Sequence, residues 1–326
     1  MRYDVILLAL CVLLAPITPA HSQTATDELI DQLRRDALEN LNPDSLGAGY
    51  AAMLSLAVSP DISAATFYPD PGAGIDDTRL KVFKLPIRHV FNREGEGVRP
   101  FVQGLFAYQT LDAEFNVLID ESIRSDWRTV GGALSAGVEI PLREQLSLLT
   151  AVTFGIGRLQ NEAVYNGAIA ENFIQPALAG LAFDWEARAH VYGASIAADY
   201  RRKIGNFDLE VHGSLTHHEV KTYDSSNLFI AFDTGTTTLD IDVNSVHPTS
   251  LKLADAPLSL VLLVGNTTFL GPNRDALDFD SFFELGVAIE ADVSARGWRI
   301  KTLRFGAKAI VGENVTGWSL VVGHSF

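Results

Sequence analysis

The sequence is poor in cysteine, in basic residues and in long hydrophobic runs. Its 326 residues contain one cysteine, Cys11. With 25 Lys and Arg against 40 Asp and Glu, the net charge is −15, the wrong sign for a protein that binds nucleic acid by neutralising phosphates. Beyond the N-terminus no run of about 18 apolar residues occurs, which argues against membrane-spanning helices. An apolar content of 47% excludes a disordered acidic chain.

Residues 1–22 have the features of a secretory signal peptide. Arg2 gives a basic start, an apolar region follows from Val5 to Ala15, and small residues surround Ala20 and Ser22. We expect cleavage after Ala20 or Ser22. The mature chain would then contain no cysteine, which excludes disulfides, thiolate catalysis and metal sites built on cysteine.

Residues 23–45 are predicted to form a short amphipathic α-helix and a linker. Thr26 is a suitable N-cap, and Ile30, Leu33 and Leu41 recur at helical spacing. Pro43 ends this pattern, because proline disfavours a helical conformation in the residue before it.

From residue 46 onwards the hydrophobic period is two, which is typical of β-strands with one apolar and one polar face. In one example, Phe283, Leu285 and Val287 alternate with Glu284. Many runs reach ten residues, whereas a globular strand averages about 5–6 and a strand that crosses a membrane needs about 9–11. Twelve strands are predicted, at residues 46–58, 79–91, 98–111, 127–140, 146–159, 186–201, 206–222, 228–243, 257–267, 281–294, 298–311 and 317–326.

The joins between these strands are alternately short and long. Short joins are predicted near 92–97, 141–145, 202–206 and 295–297, and long joins near 59–78, 112–126, 160–180 and 268–280. Outer-membrane barrels have short periplasmic turns and long outer loops. We therefore predict an all-β fold in which residues 46–326 form a 12-stranded antiparallel transmembrane β-barrel with both ends in the periplasm.

Two stretches fit this pattern badly. Between Leu181 and Tyr200 the apolar residues change from odd to even positions, for which a bulge near His190 or an extra strand would account. The run from Leu258 to Val264 is apolar on both faces.

The C-terminus alternates Trp318, Leu320 and Val322 and ends on Phe326. This pattern resembles the β-signal that the outer-membrane assembly machinery of Gram-negative bacteria recognises. The four tryptophans, at positions 127, 185, 298 and 318, lie near predicted strand ends, where the aromatic girdle of a barrel would sit.

Together, the signal peptide, the short helix, the twelve strands and the terminal Phe326 resemble the translocator domain of an autotransporter. Because no β-helical passenger region precedes the barrel, the chain is most similar to the solitary outer-membrane autotransporter-like β-barrel family. The resemblance implies an outer-membrane barrel with a helix that leads into, or lies within, its pore. Passenger secretion is not implied.

Few residues are arranged in a way that suggests catalysis or ligand binding, and we predict no catalytic, cofactor or metal site. His217, His218 and Glu219 are consecutive, so His217 and His218 point to opposite faces of a strand. No GxSxG or HExxH motif occurs. Ser214, His218 and Glu210 share one face, but each step of four residues spans about 13 Å, so a lipid hydrolase site on the barrel wall would need partners from other strands.

Charged residues of both signs are predicted to face the interior and to form a hydrated lumen wall. They are Lys84, Arg88, Arg99, Arg158, Glu210, Glu284, Glu290, Asp292, Arg304 and Lys308. One hypothesis seats the helix in the lumen as a plug, with Ile30, Leu33 and Leu41 against the inward side chains of residues 258–264. In the alternative, the helix lies in the periplasm against another protein.

We therefore expect a bacterial outer-membrane protein that acts as a surface or structural protein, or as a narrow, helix-plugged pore. An outer-membrane lipid hydrolase with a Ser/His site is the alternative. The expected partners are outer-membrane lipids and, during biogenesis, the assembly machinery. We expect a monomer, with no cofactor and no nucleic acid.

Overall fold

The computed structural model describes residues 22–40, 64–70, 75–91, 97–118, 120–227, 230–271, 279–296 and 300–325. Within these ranges, twelve strands form a single closed antiparallel barrel. Each strand pairs with its neighbours in sequence, and β1 closes the ring against β12. The predicted twelve-stranded antiparallel barrel is thus confirmed.

The elements follow one another in a simple order. Helix α1, Ser22–Asn40, precedes the barrel. The strands are β1 Ala64–Pro69, β2 Ile75–Val90, β3 Arg99–Leu118, β4 Glu121–Arg143, β5 Leu146–Asn166, β6 Trp185–Ile204, β7 Phe207–Ser225, β8 Asp233–Leu253, β9 Ala256–Leu270, β10 Ser281–Asp292, β11 Thr302–Gly312 and β12 Val315–Ser325. Between β5 and β6 lies a helical insert, a π-helical turn Ala170–Ile174 followed by α2, Gln175–Leu178.

The two ends of the barrel differ in their joins. At the end where β12 finishes, which we call the inner rim, residues 144–145, 205–206 and 254–255 form two-residue turns. At the opposite end, the outer rim, two residues also join β3 to β4 and β11 to β12, but residues 167–184 form a long join that carries the helical insert. The longest join between strands therefore lies at the outer rim, and long joins are typical of the outer side of an outer-membrane barrel.

Two predicted joins were wrong in length. Strand β3 continues to Leu118 and β4 starts at Glu121, so no long join occupies 112–126. Strands β1 and β2 likewise enter the region 59–78 that was predicted as a join. The predicted first strand, 46–58, lies outside the described residues, as do residues 1–21 of the predicted signal peptide, Leu41, Trp298 and Phe326.

The outer surface of the barrel carries an apolar belt. Large hydrophobic side chains that alternate with inward ones are exposed there, among them Phe83, Leu85, Ile87, Phe106, Val130, Leu134, Val152, Phe154, Ile156, Tyr192, Ile196, Leu262, Phe283, Leu285, Val287, Ile289, Phe305, Leu320 and Val322. Such a band matches the hydrocarbon layer of a membrane.

Helix α1 packs at the outer rim. Leu33 is buried among Val117, Ile123 and the helical insert, and Leu29 and Ile30 contact the same cluster. None of the described helices is both long and apolar enough to cross a membrane. The expected contact between this helix and residues 258–264 is wrong in the described part of the chain.

The inward side chains of residues 258–264 have other partners. Val261 and Leu263 pack against Val246 and Ala288 inside the barrel. Their outward neighbours Leu260, Leu262 and Val264 are exposed on the apolar belt. This arrangement explains why the run is apolar on both faces.

The change of apolar frame between residues 181 and 200 has a physical cause other than a break in the strand. Strand β6 is continuous, and its only recorded register shift falls between Arg188 and Ala189, near the bulge predicted at His190. Trp185 and Ala187 are buried on the inner face near the outer rim, whereas Tyr192 and the residues below it face outwards. The apolar side chains therefore change face because the outer half of the lumen is itself apolar.

Candidate functional site: the barrel lumen

The structure places most of the predicted lumen set on the inner faces of the strands. Inward-facing members are Lys84, Arg88, Arg99, Glu210, Glu284, Glu290, Arg304 and Lys308, all of them buried or half-buried. Two further residues of the set differ from these. Arg158 is on the outer surface, so its placement in the lumen was wrong, whereas Asp292 follows the inward alternation of β10 and is exposed where the strand ends at the inner rim.

A buried ion-pair cluster is centred on Lys308 of β11. Its Nζ lies 3.0 Å from Glu284 Oε2 on β10 and 3.4 Å from Asp242 Oδ1 on β8. Ser319 on β12 donates a hydrogen bond to the other oxygen of Glu284, at 3.2 Å. The side chains of Lys308 and Glu284 are each only 5% exposed, so this cluster is almost completely shielded from solvent.

A second cluster lies two inward positions closer to the inner rim on β11. Arg304 Nη2 is 3.0 Å from Glu210 Oε2 and 2.7 Å from Glu290 Oε2. Strands β7 and β11 are not neighbours in the sheet, so the contact with Glu210 spans the lumen. It ties opposite parts of the wall together.

The wall formed by β2, β3 and β4 holds a third charged group. Arg88 and Arg99 both contact the carboxylate of Glu139. The guanidinium of Arg88 also stands 4.0 Å from the ring centroid of Phe101, a cation–π distance. Nearby strands β6 and β7 contribute a pair between His212 Nδ1 and Asp199 Oδ1, 2.6 Å apart.

Towards the outer rim the lumen is filled by two apolar clusters. One contains Ala65, Phe67, Leu80, Val82, Phe269, Phe279, Phe282, Ile310 and Val315. The other contains Leu159, Trp185, Ala187, Ala189, Val191, Val220, Ile230 and Phe232. Trp127 packs against both clusters. The two clusters and Trp127 therefore form one continuous group of side chains, which we call the apolar layer.

The tryptophans at the centre of the apolar layer correct the girdle prediction. Trp127 and Trp185 point into the lumen, with ring centroids 5.1 Å apart in an edge-on arrangement. They do not lie in an outer girdle, because near the outer rim the apolar environment is inside the barrel. Trp318 is exposed on the outer surface with Leu320 and Val322, the described members of the predicted assembly signal.

Hydrogen bonds hold the outer rim around this layer. Ser125 Oγ accepts from Trp127 Nε1 at 2.9 Å and from Asn161 Nδ2 at 2.7 Å. Asn161 Oδ1 in turn accepts the backbone N–H of Asp184, whose carboxylate accepts from the Tyr165 hydroxyl at 3.0 Å. Asp184 has a φ of 57°, so a short polar residue suits this left-handed position.

The residues weighed as catalytic or ligating lie on both sides of the wall. His217 faces outwards and contacts Thr237 and Glu219, whereas His218 is buried in the lumen beside Gly193. Ser214 is also inside, so the wall of the barrel separates Ser214 and His218 from the hydrocarbon. In the described ranges, no group of three or more His, Cys, Asp or Glu is arranged to hold a metal ion.

Several residues of the lumen were missed by the sequence patterns. Glu139, Asp242 and Ser319 complete the charged clusters, and Trp127 joins the two apolar clusters. The inward position of Asp242 could be predicted from its alternation with Ile241 and Val243. Its pairing with Lys308 was not, because that contact depends on how the barrel closes.

Residues 75–324 match the family described as "Solitary outer membrane autotransporter beta-barrel domain". This chain belongs to that family. No curated protein matches it. The family is an outer-membrane one, which agrees with the apolar belt.

Solved autotransporter barrels share the fold. The transport unit of AIDA-I from Escherichia coli is 9% identical, with a TM-score of 0.54, and the match covers 87% of this chain and 99% of that one. The translocator domain of NalP from Neisseria meningitidis is 13% identical, with a TM-score of 0.50 and coverages of 92% and 98%. At these identities the likeness establishes the fold alone.

Proposed function

We propose that this solitary barrel is a surface or structural protein of the outer membrane, with a lumen closed towards the outside. The observation that carries the proposal is the apolar layer, in which Trp127 joins the two clusters across the lumen. A hydrophobic constriction blocks ions because it does not hold water. The Arg304 and Lys308 clusters narrow the lumen further towards the inner rim.

In this proposal helix α1 covers the outer rim, and the apolar layer is the main barrier. Leu33 contacts the helical insert and the outer ends of β3 and β4, at Val117 and Ile123. The residues of the apolar layer lie in other clusters. Removal of the helix should therefore leave the barrier in place.

Single-channel recording in planar bilayers tests these two roles. We expect very low conductance for the full chain and for a variant that lacks residues 24–42. Trp127→Ala should increase the frequency of open events, because it removes the side chain shared by both apolar clusters. Phe305→Ala, which removes an aromatic side chain from the outer surface, is the matched control and should have no effect.

The recordings distinguish a closed lumen from an open one, and the apolar layer from the helix as the barrier. Steady conductance by the full chain would contradict the closed lumen. If only the deletion of residues 24–42 opens the barrel, the helix is the plug and the proposed role of the apolar layer is wrong.

We further propose that the chain reaches the outer membrane as a monomer, after removal of residues 1–22. Its partners would be outer-membrane lipids and the assembly machinery, which would read Trp318, Leu320, Val322 and Phe326. Fractionation, N-terminal sequencing of the mature protein and gel mobility before and after boiling test this proposal, because closed barrels resist SDS until heated. Recovery in the aqueous fraction without detergent would contradict it.

A further inference from the structure

A serine and a histidine of β8 form a hydrogen-bonded pair on the outer surface of the barrel. Ser245 Oγ and His247 Nε2 are 2.7 Å apart. Residues two positions apart share a face of a strand, and Val246 between them packs inside the barrel. Ser245 and His247 therefore both face outwards, where both are half-buried. We call them the Ser–His pair.

The Ser–His pair lies in the apolar belt, near the edge of the belt on the side of the inner rim. Leu262 is opposite Ser245, and Leu260 is opposite His247, in the pairing of β8 with β9. Both leucines are exposed on the belt, and the next outward residue of β8 towards the inner rim is the exposed Thr249. Polar side chains that face hydrocarbon cost free energy, so a polar pair at such a position points to a function.

Two contacts hold the ring of His247 in a fixed orientation. Its face stacks on the ring of Phe207 from β7, with centroids 5.0 Å apart and an angle of 28° between the planes. Its Nε2 meets the hydroxyl of Ser245. A histidine that is oriented by one neighbour and hydrogen-bonded to a hydroxyl, at about 2.6–3.2 Å, is the arrangement of a general base with its nucleophile. The Ser–His pair has this arrangement.

A base on β6 lies on the same surface, two strands away from Ser245. Arg202 is opposite Leu209 of β7, and Leu209 is opposite Ser245. Adjacent strands are about 4.8 Å apart, so the backbones at Arg202 and Ser245 are about 10 Å apart. Arg202 is exposed, and in the described part of the chain it forms no ion pair. Its guanidinium is therefore available to a phosphate, which it can bind in a bidentate manner.

We propose that the Ser–His pair hydrolyses an acyl ester of a phospholipid in the leaflet on the side of the inner rim. The phosphate of the lipid binds Arg202, and an acyl chain lies against Leu209 and Leu262. The ester joins these two parts of the lipid, so the two contacts bring it to Ser245. The proposal goes beyond a surface or structural role, requires the barrel to be embedded in a membrane, and is independent of whether the lumen is closed.

The reaction passes through an acyl-enzyme. Ser245 Oγ attacks the carbonyl carbon of the ester while His247 Nε2 takes the hydroxyl proton. His247 gives this proton to the glycerol oxygen when the bond between that oxygen and the carbonyl carbon breaks. A water molecule then attacks the acyl group, with His247 again as base, and releases a fatty acid and free Ser245. In the described ranges no carboxylate contacts His247, so turnover is slower than that of a Ser–His–Asp triad.

Two probes of the full-length protein test the proposal. A long-chain alkyl fluorophosphonate reacts covalently with a serine that a base activates, and peptide mass spectrometry locates the label. Phospholipid vesicles with a labelled acyl chain report hydrolysis by the reconstituted protein through the fatty acid that is released.

The variants are Ser245→Ala, His247→Gln and Arg202→Gln. Two matched controls change residues of the same types at the inner rim. Ser250→Ala removes an exposed serine, and His89→Gln removes an exposed histidine that packs against the ring of Phe91.

We expect the label on Ser245 in the native protein and in both controls. Ser245→Ala should abolish labelling and the release of fatty acid. His247→Gln should slow labelling about 100-fold, because general-base catalysis contributes about 10²–10⁴-fold. Arg202→Gln should leave labelling unchanged and raise the KM for phospholipid about tenfold, because only the phospholipid uses the phosphate contact.

An unlabelled native protein, or a label that survives Ser245→Ala, would overturn the proposal. So would equal labelling rates of the native protein and His247→Gln, compared on variants that keep the gel mobility of a folded barrel before boiling. Labelling of Ser245 without release of fatty acid from phospholipid would overturn the assignment of the substrate. If His247→Gln fails to fold, Ser245→Ala decides the question, because a serine on the outer surface can be truncated without loss of packing in the lumen.

Discussion

Replacement of Lys308 by methionine should strongly destabilise the barrel. The change removes the positive charge that lies 3.0 Å from Glu284 and 3.4 Å from Asp242, and leaves two buried carboxylates without it. Removal of one partner from a buried ion pair typically costs about 3–5 kcal/mol. We expect a loss in this range in the free energy of unfolding.

Urea titration of the folded barrel in lipid vesicles, followed by tryptophan fluorescence, measures this loss. Lys221→Met is the matched control, because Lys221 forms a 2.7 Å pair with Asp233 but both side chains are more than half exposed. Its effect should be much smaller, since exposed pairs are screened by water. Combination of Lys308→Met with Glu284→Gln and Asp242→Asn should recover much of the stability. Equal effects of Lys308→Met and Lys221→Met would refute the reasoning.

Three further predictions concern other parts of the lumen. Gly193→Ala should destabilise the barrel by about 1–3 kcal/mol, because the added carbon would clash with the backbone oxygen of His217, whereas Gly213→Ala, with open space around it, should be near neutral in the same urea titration. Asp184→Ala should speed proteolysis within residues 167–184, because it removes the acceptor for the backbone N–H of Ala163 and the Tyr165 hydroxyl; an unchanged cleavage rate would contradict this. Phe282→Ala and Lys308→Met should show a coupling of about 1 kcal/mol in a double-mutant cycle, because Phe282 is the inward residue next to Glu284 on β10, and strict additivity of the two losses would contradict this.

The strands of the membrane zone could be predicted from the sequence, for a clear physical reason. There one face of each strand meets hydrocarbon and the other meets a polar lumen, so apolar residues recur at every second position, as in Phe283, Leu285 and Val287. This pattern located most strands to within a few residues and gave the correct number. It also identified Lys308, Glu284 and Arg304 as residues with polar surroundings.

The outer parts of the strands were harder to predict, because there the environments are reversed. Beyond the membrane the outer face of β5 carries Arg158, while the inner face carries the buried Leu159. If every apolar residue is assumed to face outwards, the predicted strand ends too early and a join is predicted in its place. This error occurred at residues 112–126 and 160–166. Trp127 and Trp185 were assigned to an outer girdle for the same reason.

The partners of the lumen charges lay beyond the reach of one sequence. Glu210 and Arg304 are 94 positions apart and sit on strands that are not adjacent. Their meeting depends on the closure and register of the ring, which the alternation along each strand does not encode. Alternation shows that a side chain points inwards, and only the closed barrel shows what it meets there.

The apolar layer and the Lys308 cluster depend on each other through their positions along the strands. Ile310 of the layer is the next inward residue after Lys308 towards the outer rim on β11. Phe282 is likewise the next inward residue after Glu284 towards the outer rim on β10. The layer therefore keeps water from the ion pair, and in a drier environment the attraction between the charges is stronger. The ion pair in turn links side chains of β8, β10 and β11 on the inner face of the wall, directly next to Phe282 and Ile310. The same set of contacts therefore closes the lumen and stabilises the barrel. A substitution that opens the lumen should also lower the free energy of unfolding of the barrel.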